Sequence, residues 1–292
     1  MHRIYKEQNS ERILRLQFSQ RKHYELAEFY NDLSWVLAII LVILSIIGTK
    51  FDLLENVRLL INAILAIGVF MVNKIAISNV KIGAATKEYI DSELFHLDRK
   101  DKYCDYSMLE IKESALKMKE KYEKEYNIQI SNTGKDKPAG LKDWYTYKTD
   151  GKDVHVILKC QEENIWWNGV LNKKFLWGIG LFSLVILSLI IEIIMVNKIS
   201  LVAIINIILL CVSLFCKTIE DLVQAIKYYT YYIKAKSKIE AFETNMNLRM
   251  KDLMLLQNDI NKMRSIKFLV PNFIHKIYSK KLHLMLEEVK SM

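Results

Sequence analysis

Residues 175–216 read FLWGIGLFSLVILSLIIEIIMVNKISLVAIINIILLCVSLFC. Two apolar runs lie here, Phe175–Val196 and Leu201–Cys216, joined by only residues 197–200, and Glu192 is the one charged residue within the runs. A second pair, Leu33–Ile47 and Leu59–Ile77, sits earlier in the chain, and its only charged residue is Lys74, near the end of its run, where the long side chain snorkels to the interface. Each run is about long enough to cross a hydrocarbon core. Backbone polar groups in lipid must bond within the chain, so the runs are expected to be helices. The sequence is 51% hydrophobic yet 26% charged, a combination that works here because the two residue classes are segregated. The expected fold is all-α: a polytopic membrane protein with four transmembrane helices in two hairpins, plus cytoplasmic helices.

Charge sets the expected orientation. Residues 1–32 carry 6 Lys and Arg, residues 78–174 carry 18, and residues 217–292 carry 14. The turn-length connectors 49–56 and 197–200 hold only Lys50, Asp52, Glu55 and Lys198. The positive-inside rule then predicts a multi-pass membrane protein with both termini and the central segment cytoplasmic. The predicted organisation is a cytoplasmic amphipathic helix over 1–32, a first transmembrane hairpin over 33–77, a cytoplasmic helical region over 78–174, a second hairpin over 175–216, and C-terminal cytoplasmic helices over 217–292. The C-terminal segment carries 14 basic against 8 acidic residues. An anionic leaflet accounts for that surplus, and no DNA or RNA polymer is needed as a partner. The first apolar run starts too late for a secretory signal peptide. The four cysteines lack metal-like spacing with histidine and fit a reduced compartment better than a disulfide framework.

Only 2 prolines and 9 glycines occur, which favours long helices. Ile13, Leu14, Phe18 and Leu26 recur at near-helical spacing, so residues 9–31 are predicted to lead as a helix into the first span. Residues 84–99 are expected to continue the second span. Leu109–Tyr126 reads as one further helix, with i,i+4 pairs such as Glu120–Lys124. Residues 127–152 are punctuated by glycines and Pro138 and read as irregular. Helix is expected to restart at Asp153 as N-cap and to enter the third span with a break near Gly169. Residues 217–264 contain no Gly or Pro and are predicted to form one long helix. Pro271 ends it, and Phe273–Lys290 forms a terminal helix.

Three polar and aromatic stretches stand out. Gln161-Glu162-Glu163-Asn164-Ile165-Trp166-Trp167 places amides, carboxylates and indoles just before a span. An interfacial aromatic anchor explains it on one reading. On the other, Gln161 and Asn164 share a helix face and bracket a hydrogen-bonding ligand, with Glu162 and Trp167 beside them. Asp143-Trp144-Tyr145 reads either as loop packing or as a stacking platform for a nucleobase. Lys142, Lys152 and Lys159 are the nearby cations for its phosphates. Tyr228-Tyr229-Thr230-Tyr231-Tyr232 fits an interface belt. Within the spans, Asn62, Asn73, Glu192 and Asn206 are candidate pore-lining groups, with interhelical bonding as the alternative.

Catalytic signals are absent. No phosphate-cradling glycine loop or nucleophile motif occurs, and the six histidines are scattered singly without metal-ligand spacing. No enzyme, cofactor or metal is expected.

The order of several motifs then points to a family. Glu7-Gln8-Asn9, Leu16-Gln17-Phe18-Ser19-Gln20-Arg21-Lys22-His23-Tyr24, Asp91-Ser92-Glu93-Leu94-Phe95, Asp143-Trp144-Tyr145, and Cys160-Gln161-Glu162-Glu163-Asn164 with Trp166-Trp167 are interleaved with the two pairs of spans. Over about residues 5–240 this ordered set resembles the SMODS-associated four-transmembrane effector family of bacterial antiphage defence. The resemblance implies an effector of a cyclic-oligonucleotide (CBASS-type) system that disrupts or permeabilises the inner membrane in abortive infection. It implies a cyclic oligonucleotide second messenger as ligand. Four mostly apolar spans make a poor pore in one chain, so a homo-oligomer is expected. A non-gated membrane scaffold or transporter component binding a cytoplasmic protein partner is the alternative, and a lipid-modifying enzyme a third reading.

Overall fold

A computed structural model describes residues 2–50, 55–97, 102–145, 151–196, 201–245 and 247–269. Eight helices and one two-stranded ladder make up its regular structure: α1 (Arg3–Glu7), α2 (Glu11–Lys50), α3 (Glu55–Phe95), β1 (Lys102–Tyr103), β2 (Tyr106–Ser107), α4 (Met108–Lys121), α5 (Glu123–Ser131), α6 (Asp153–Val196), α7 (Leu201–Glu243) and α8 (Met250–Arg264). The chain divides into two compact units. The first comprises Met1–Leu26, Ser78–Val170 and Lys227–Lys267, and the second Ala27–Ile77, Leu171–Ile226 and Phe268–Met292. The four long helices of 40, 41, 44 and 43 residues each belong to both units.

Every apolar run of the sequence lies on one of those four helices. Among the described residues, Glu11–Leu44 and Leu60–Phe95 contain stretches long and apolar enough to cross a membrane. The helix expected over 9–31 continues without interruption into the first run, and α3 extends the second as far as Phe95. α6 likewise runs through Gly169 unbroken, so no break occurs there.

Two further expectations are corrected. The helix read over Leu109–Tyr126 is split at Tyr122, whose backbone leaves the helical region at φ −124 and ψ 40. Glu120 and Lys124 therefore sit on different helices. The break is tertiary in origin, because Tyr122 turns toward Leu14, Phe18, Tyr126 and Leu141, and Lys22 lies 4.6 Å over its ring. The uninterrupted helix over 217–264 is also not found. α7 ends at Glu243, and α8 packs back against it through Asp259, which pairs with Lys234 at 3.2 Å and Lys238 at 2.5 Å. No glycine or proline marks that reversal. Burial of Leu253, Leu256, Ile260 and Met263 on one face of α8 drives it. The terminal helix predicted over Phe273–Lys290 lies outside the described residues.

Local chemistry explains the other boundaries. Ser107 and Glu110 form a capping box at the start of α4: Glu110 N donates to Ser107 Oγ, and Ser107 N donates to Glu110 Oε2 at 2.7 Å. Asp153 is the first residue of α6 and accepts from His2 at 2.7 Å. Gly83 permits close approach of α2 and α3, since a Cβ there would meet the Tyr24 ring at 3.2 Å. The core of the first unit gathers residues from most of its elements, including Tyr5, Leu16, Tyr89, Phe95, Ile157 and Leu253. The second unit holds a smaller cluster of Ala38, Val69 and Leu214, with Trp35 against it.

Candidate functional site

The first unit contains a buried polar network centred on Asp91 of α3, whose exposure is 0%. Arg264 at the end of α8 donates Nη1 to Asp91 Oδ2 at 2.5 Å, and Gln257 of α8 donates Nε2 to the same oxygen at 3.0 Å. Lys87 lies one turn before Asp91, its Nζ 3.2 Å from Oδ1. The Tyr145 hydroxyl donates to Oδ1 at 3.0 Å while accepting from Asn164 Nδ2 at 3.0 Å and Lys87 Nζ at 3.3 Å. Gln161, one turn before Asn164 on α6, donates to Gln257 Oε1 at 2.9 Å and to the Leu253 carbonyl at 3.2 Å. Gln257 in turn donates to Asn261 Oδ1 at 2.9 Å. Elements more than 160 residues apart in sequence thus converge on one carboxylate.

The irregular segment before α6 is pinned from both sides. Gln8 Oε1 accepts from Tyr145 N at 2.8 Å, and Gln8 Nε2 donates to the Tyr145 carbonyl at 3.3 Å. Asn9 makes the same two-point bond with Asp143, donating to Oδ1 at 2.9 Å and accepting from its amide at 3.0 Å. Asp143 is held at φ 55, in the left-handed region, a conformation that costs a non-glycine residue on the order of 1 kcal/mol. Asp143 and Tyr145 face inward, whereas Trp144 between them is 39% exposed, with Lys87 Nζ 5.4 Å from its ring.

Electrostatics follow from this packing. Burial works to raise the Asp91 carboxyl, but Lys87 and Arg264 outweigh it, and its pKa lies below the ordinary carboxylate value. Burial lowers the Lys87 ammonium, with Asp91 restoring part of the loss. Arg264 is lowered by burial and raised by Asp91 and Tyr145, with a net rise. Burial, reinforced by Asp91, pushes the Tyr145 phenol well up. The Cys160 thiol is raised by burial and by Glu163. A buried thiol raised in this way is a poor nucleophile. Among the described residues no group of three or more His, Cys, Asp or Glu side chains is arranged to hold a metal.

The structure brings Tyr145, Gln161 and Asn164 into one network and leaves Trp144 at the surface beside it. Glu162 instead pairs with Lys159 at 2.7 Å, and Lys159 also reaches Glu243 at 2.9 Å, which commits that cation within the protein. Trp166 is partly buried, and the Trp167 side chain lies outside the described residues. In the apolar stretches, Asn73 bonds Glu220 and Lys217. Neither amide atom of Asn62 finds a hydrogen-bond partner among the described residues. The side chains of Glu192 and Asn206 lie outside the described residues. Asp91 and Gln8 stand in motifs quoted for the family resemblance, but their roles, and those of Lys87, Gln257 and Arg264, rest on contacts between distant elements that local sequence does not show. The amide-rich run from Gln257 to Asn261 on an otherwise apolar helix face was the available signal.

Apolar helices long enough to span a bilayer, continuous with helices that build a buried polar network, place the chain among membrane proteins. The chain belongs to the SMODS-associating 4TM effector domain family, which it matches over residues 2–291. The match extends through residues 241–291, beyond the reach of the motif resemblance, and so includes α8 with its hub residues. No curated protein and no solved structure shows significant similarity to the chain.

Proposed function

We propose that this protein permeabilises the bacterial inner membrane in antiphage defence when a cyclic oligonucleotide binds its cytoplasmic part, acting as a homo-oligomer. In this reading the four apolar runs cross the membrane as two hairpins, both termini are cytoplasmic, and no reaction is catalysed. The observation that carries it is the Asp91 network: α3, α6 and α8 and the segment holding Trp144 meet there, and α3 and α6 also carry apolar runs. Trp144, half exposed between two pinned residues, is a rigid face on which a base stacks. Displacing its segment disturbs Tyr145, which bonds Asp91, Lys87 and Asn164 together. The messenger acts by binding the open arrangement more tightly than the closed one. The amide of Asn62, without a hydrogen-bond partner among the described residues, favours a wet or interhelical environment for that part of α3.

The test is dye release. Full-length protein is reconstituted into liposomes loaded with carboxyfluorescein and challenged with a panel of cyclic dinucleotides and trinucleotides. Release with at least one member is expected, and impermeability with all of them refutes the proposal. Gln161→Leu and Asn164→Leu separate it from a scaffold. An effector loses host toxicity while still accumulating in the membrane, whereas a scaffold keeps its partner.

A further inference from the structure

The second unit has its own buried polar cluster, built on Lys217 of α7. Its Nζ donates to Asn31 Oδ1 at 2.8 Å on α2 and to Asn73 Oδ1 at 3.3 Å on α3, and pairs with Asp221 at 3.0 Å one turn along α7. The Trp35 ring of α2 lies 5.5 Å from the ammonium, and Trp35 Nε1 donates to Asp221 Oδ2 at 2.9 Å. Asn73 Nδ2 donates to Glu220 of α7 at 2.8 Å. The Lys217 side chain is only 2% exposed.

Position along the chain gives the cluster its meaning. Asn31 and Trp35 flank the start of the first apolar run, Asn73 stands near the end of the second, and Lys217 directly follows the fourth. All four therefore mark the same end of their runs, the cytoplasmic end in the proposed topology. The neighbouring contacts among α2, α3 and α7, through Ala38, Val69 and Leu214, are apolar. Apolar contacts between helices in lipid give little preference for one arrangement, because acyl chains are as apolar as the side chains they replace. Directional bonds among buried polar groups supply that preference instead.

We propose that the Lys217 cluster is the latch that holds the permeation path shut: it staples α7 to the α2–α3 pair, and opening exchanges its bonds for water. The same groups, once separated, line the cytoplasmic mouth of the path, so their hydration offsets the loss of the staple. This inference rests on the proposed permeabilising function and adds where and by which groups it is restrained.

The test uses full-length protein in carboxyfluorescein-loaded liposomes. Lys217→Met combined with Asp221→Leu removes both charges together, so neither is left buried and unpaired. Release without any nucleotide is expected to rise about tenfold or more over the wild-type protein, as the closed population loses its bias. A wild-type rate for this variant at equal reconstitution overturns the latch. In a second arm, Asn73→Cys and Glu220→Cys are introduced with Cys104, Cys160, Cys211 and Cys216 replaced by serine, and the pair is joined by a short bis-maleimide. The cross-linked protein is expected to stay shut in the presence of the nucleotide that opens its untreated form. Undiminished release overturns the latch even if the charge-removal variant fails to accumulate. Nucleotide-triggered release from the wild type with both arms negative sinks the latch alone. Leak from the charge-removal variant with no responsive nucleotide supports the latch and sinks the nucleotide reading.

Discussion

Replacing Asp91 with alanine removes the only anion among the described partners of two buried cations. Arg264 Nη1 lies 2.5 Å from its carboxylate and Lys87 Nζ 3.2 Å, and both cationic side chains are at least nine-tenths buried. Breaking a buried pair from one side costs about 3–5 kcal/mol, because the remaining charge keeps its desolvation penalty. The Tyr145 hydroxyl and Gln257 amide lose an acceptor as well. Lys87→Met is milder, on the order of 1–3 kcal/mol, since Arg264 still neutralises Asp91. The asymmetry between the two variants is the prediction. α8 should loosen first in Asp91→Ala, because Arg264 and Gln257 anchor it there. Purified full-length protein in detergent is unfolded with denaturant, and trypsin cleavage after Arg249 or Lys251, beside the α7–α8 turn, reports on α8. A cost below about 1 kcal/mol for Asp91→Ala, or equal effects of the two substitutions, refutes the claim that Asp91 organises the network.

Other outcomes follow from single contacts. Asn164→Leu removes the 3.0 Å bond to Tyr145 and should cost about 1–2 kcal/mol, read as a lowered denaturation midpoint. Trp144→Ala should leave that midpoint within about 1 kcal/mol, since the indole is half exposed, yet abolish nucleotide-triggered dye release. His23 is pH-sensitive. Burial holds its pKa below the ordinary 6.5 against the opposing bond from Asn79, and Ser114 bonds the other ring nitrogen. The unfolded chain takes up the proton first as pH falls, so stability is full above about pH 6.5 and declines below it. His23→Asn should flatten the difference in melting temperature between pH 7.5 and 5.5.

The four long helices were legible because each carries a long apolar run free of proline, in a chain with few helix breakers. The shared face of Gln161 and Asn164 was legible from a spacing of three. The helix breaks were not. Tyr122 and residues 244–249 carry no proline or glycine, and the contacts that bend the chain there come from Leu14, Phe18 and Leu141 in one case and from the buried face of α8 in the other. The pairing of Asp91 with Arg264 spans 173 residues and leaves no trace in local periodicity. Lys217 was partly visible, as a lysine closing an apolar run with an aspartate four residues on, but its partners Asn31 and Asn73 come from other helices.

Magnitudes also bear on the proposed assembly. Moving a two-state protein from 1:99 to 99:1 requires about 10⁴-fold preferential binding, or roughly 5.5 kcal/mol. One base stacked on Trp144 supplies about 1–3 kcal/mol. The nearby Lys159 is already committed to Glu162 and Glu243. One base on one chain therefore falls short, whereas a ligand with two or three bases bridging the same site on several copies sums enough. On these magnitudes the proposed nucleotide response draws on the proposed oligomer. A single copy held in a small nanodisc should bind the nucleotide without opening, scored by unchanged tryptic cleavage after Arg249, while assemblies in liposomes respond steeply. Full nucleotide-induced exposure of that site in single-copy discs would show that the energy comes from contacts within one chain and would remove this argument for assembly.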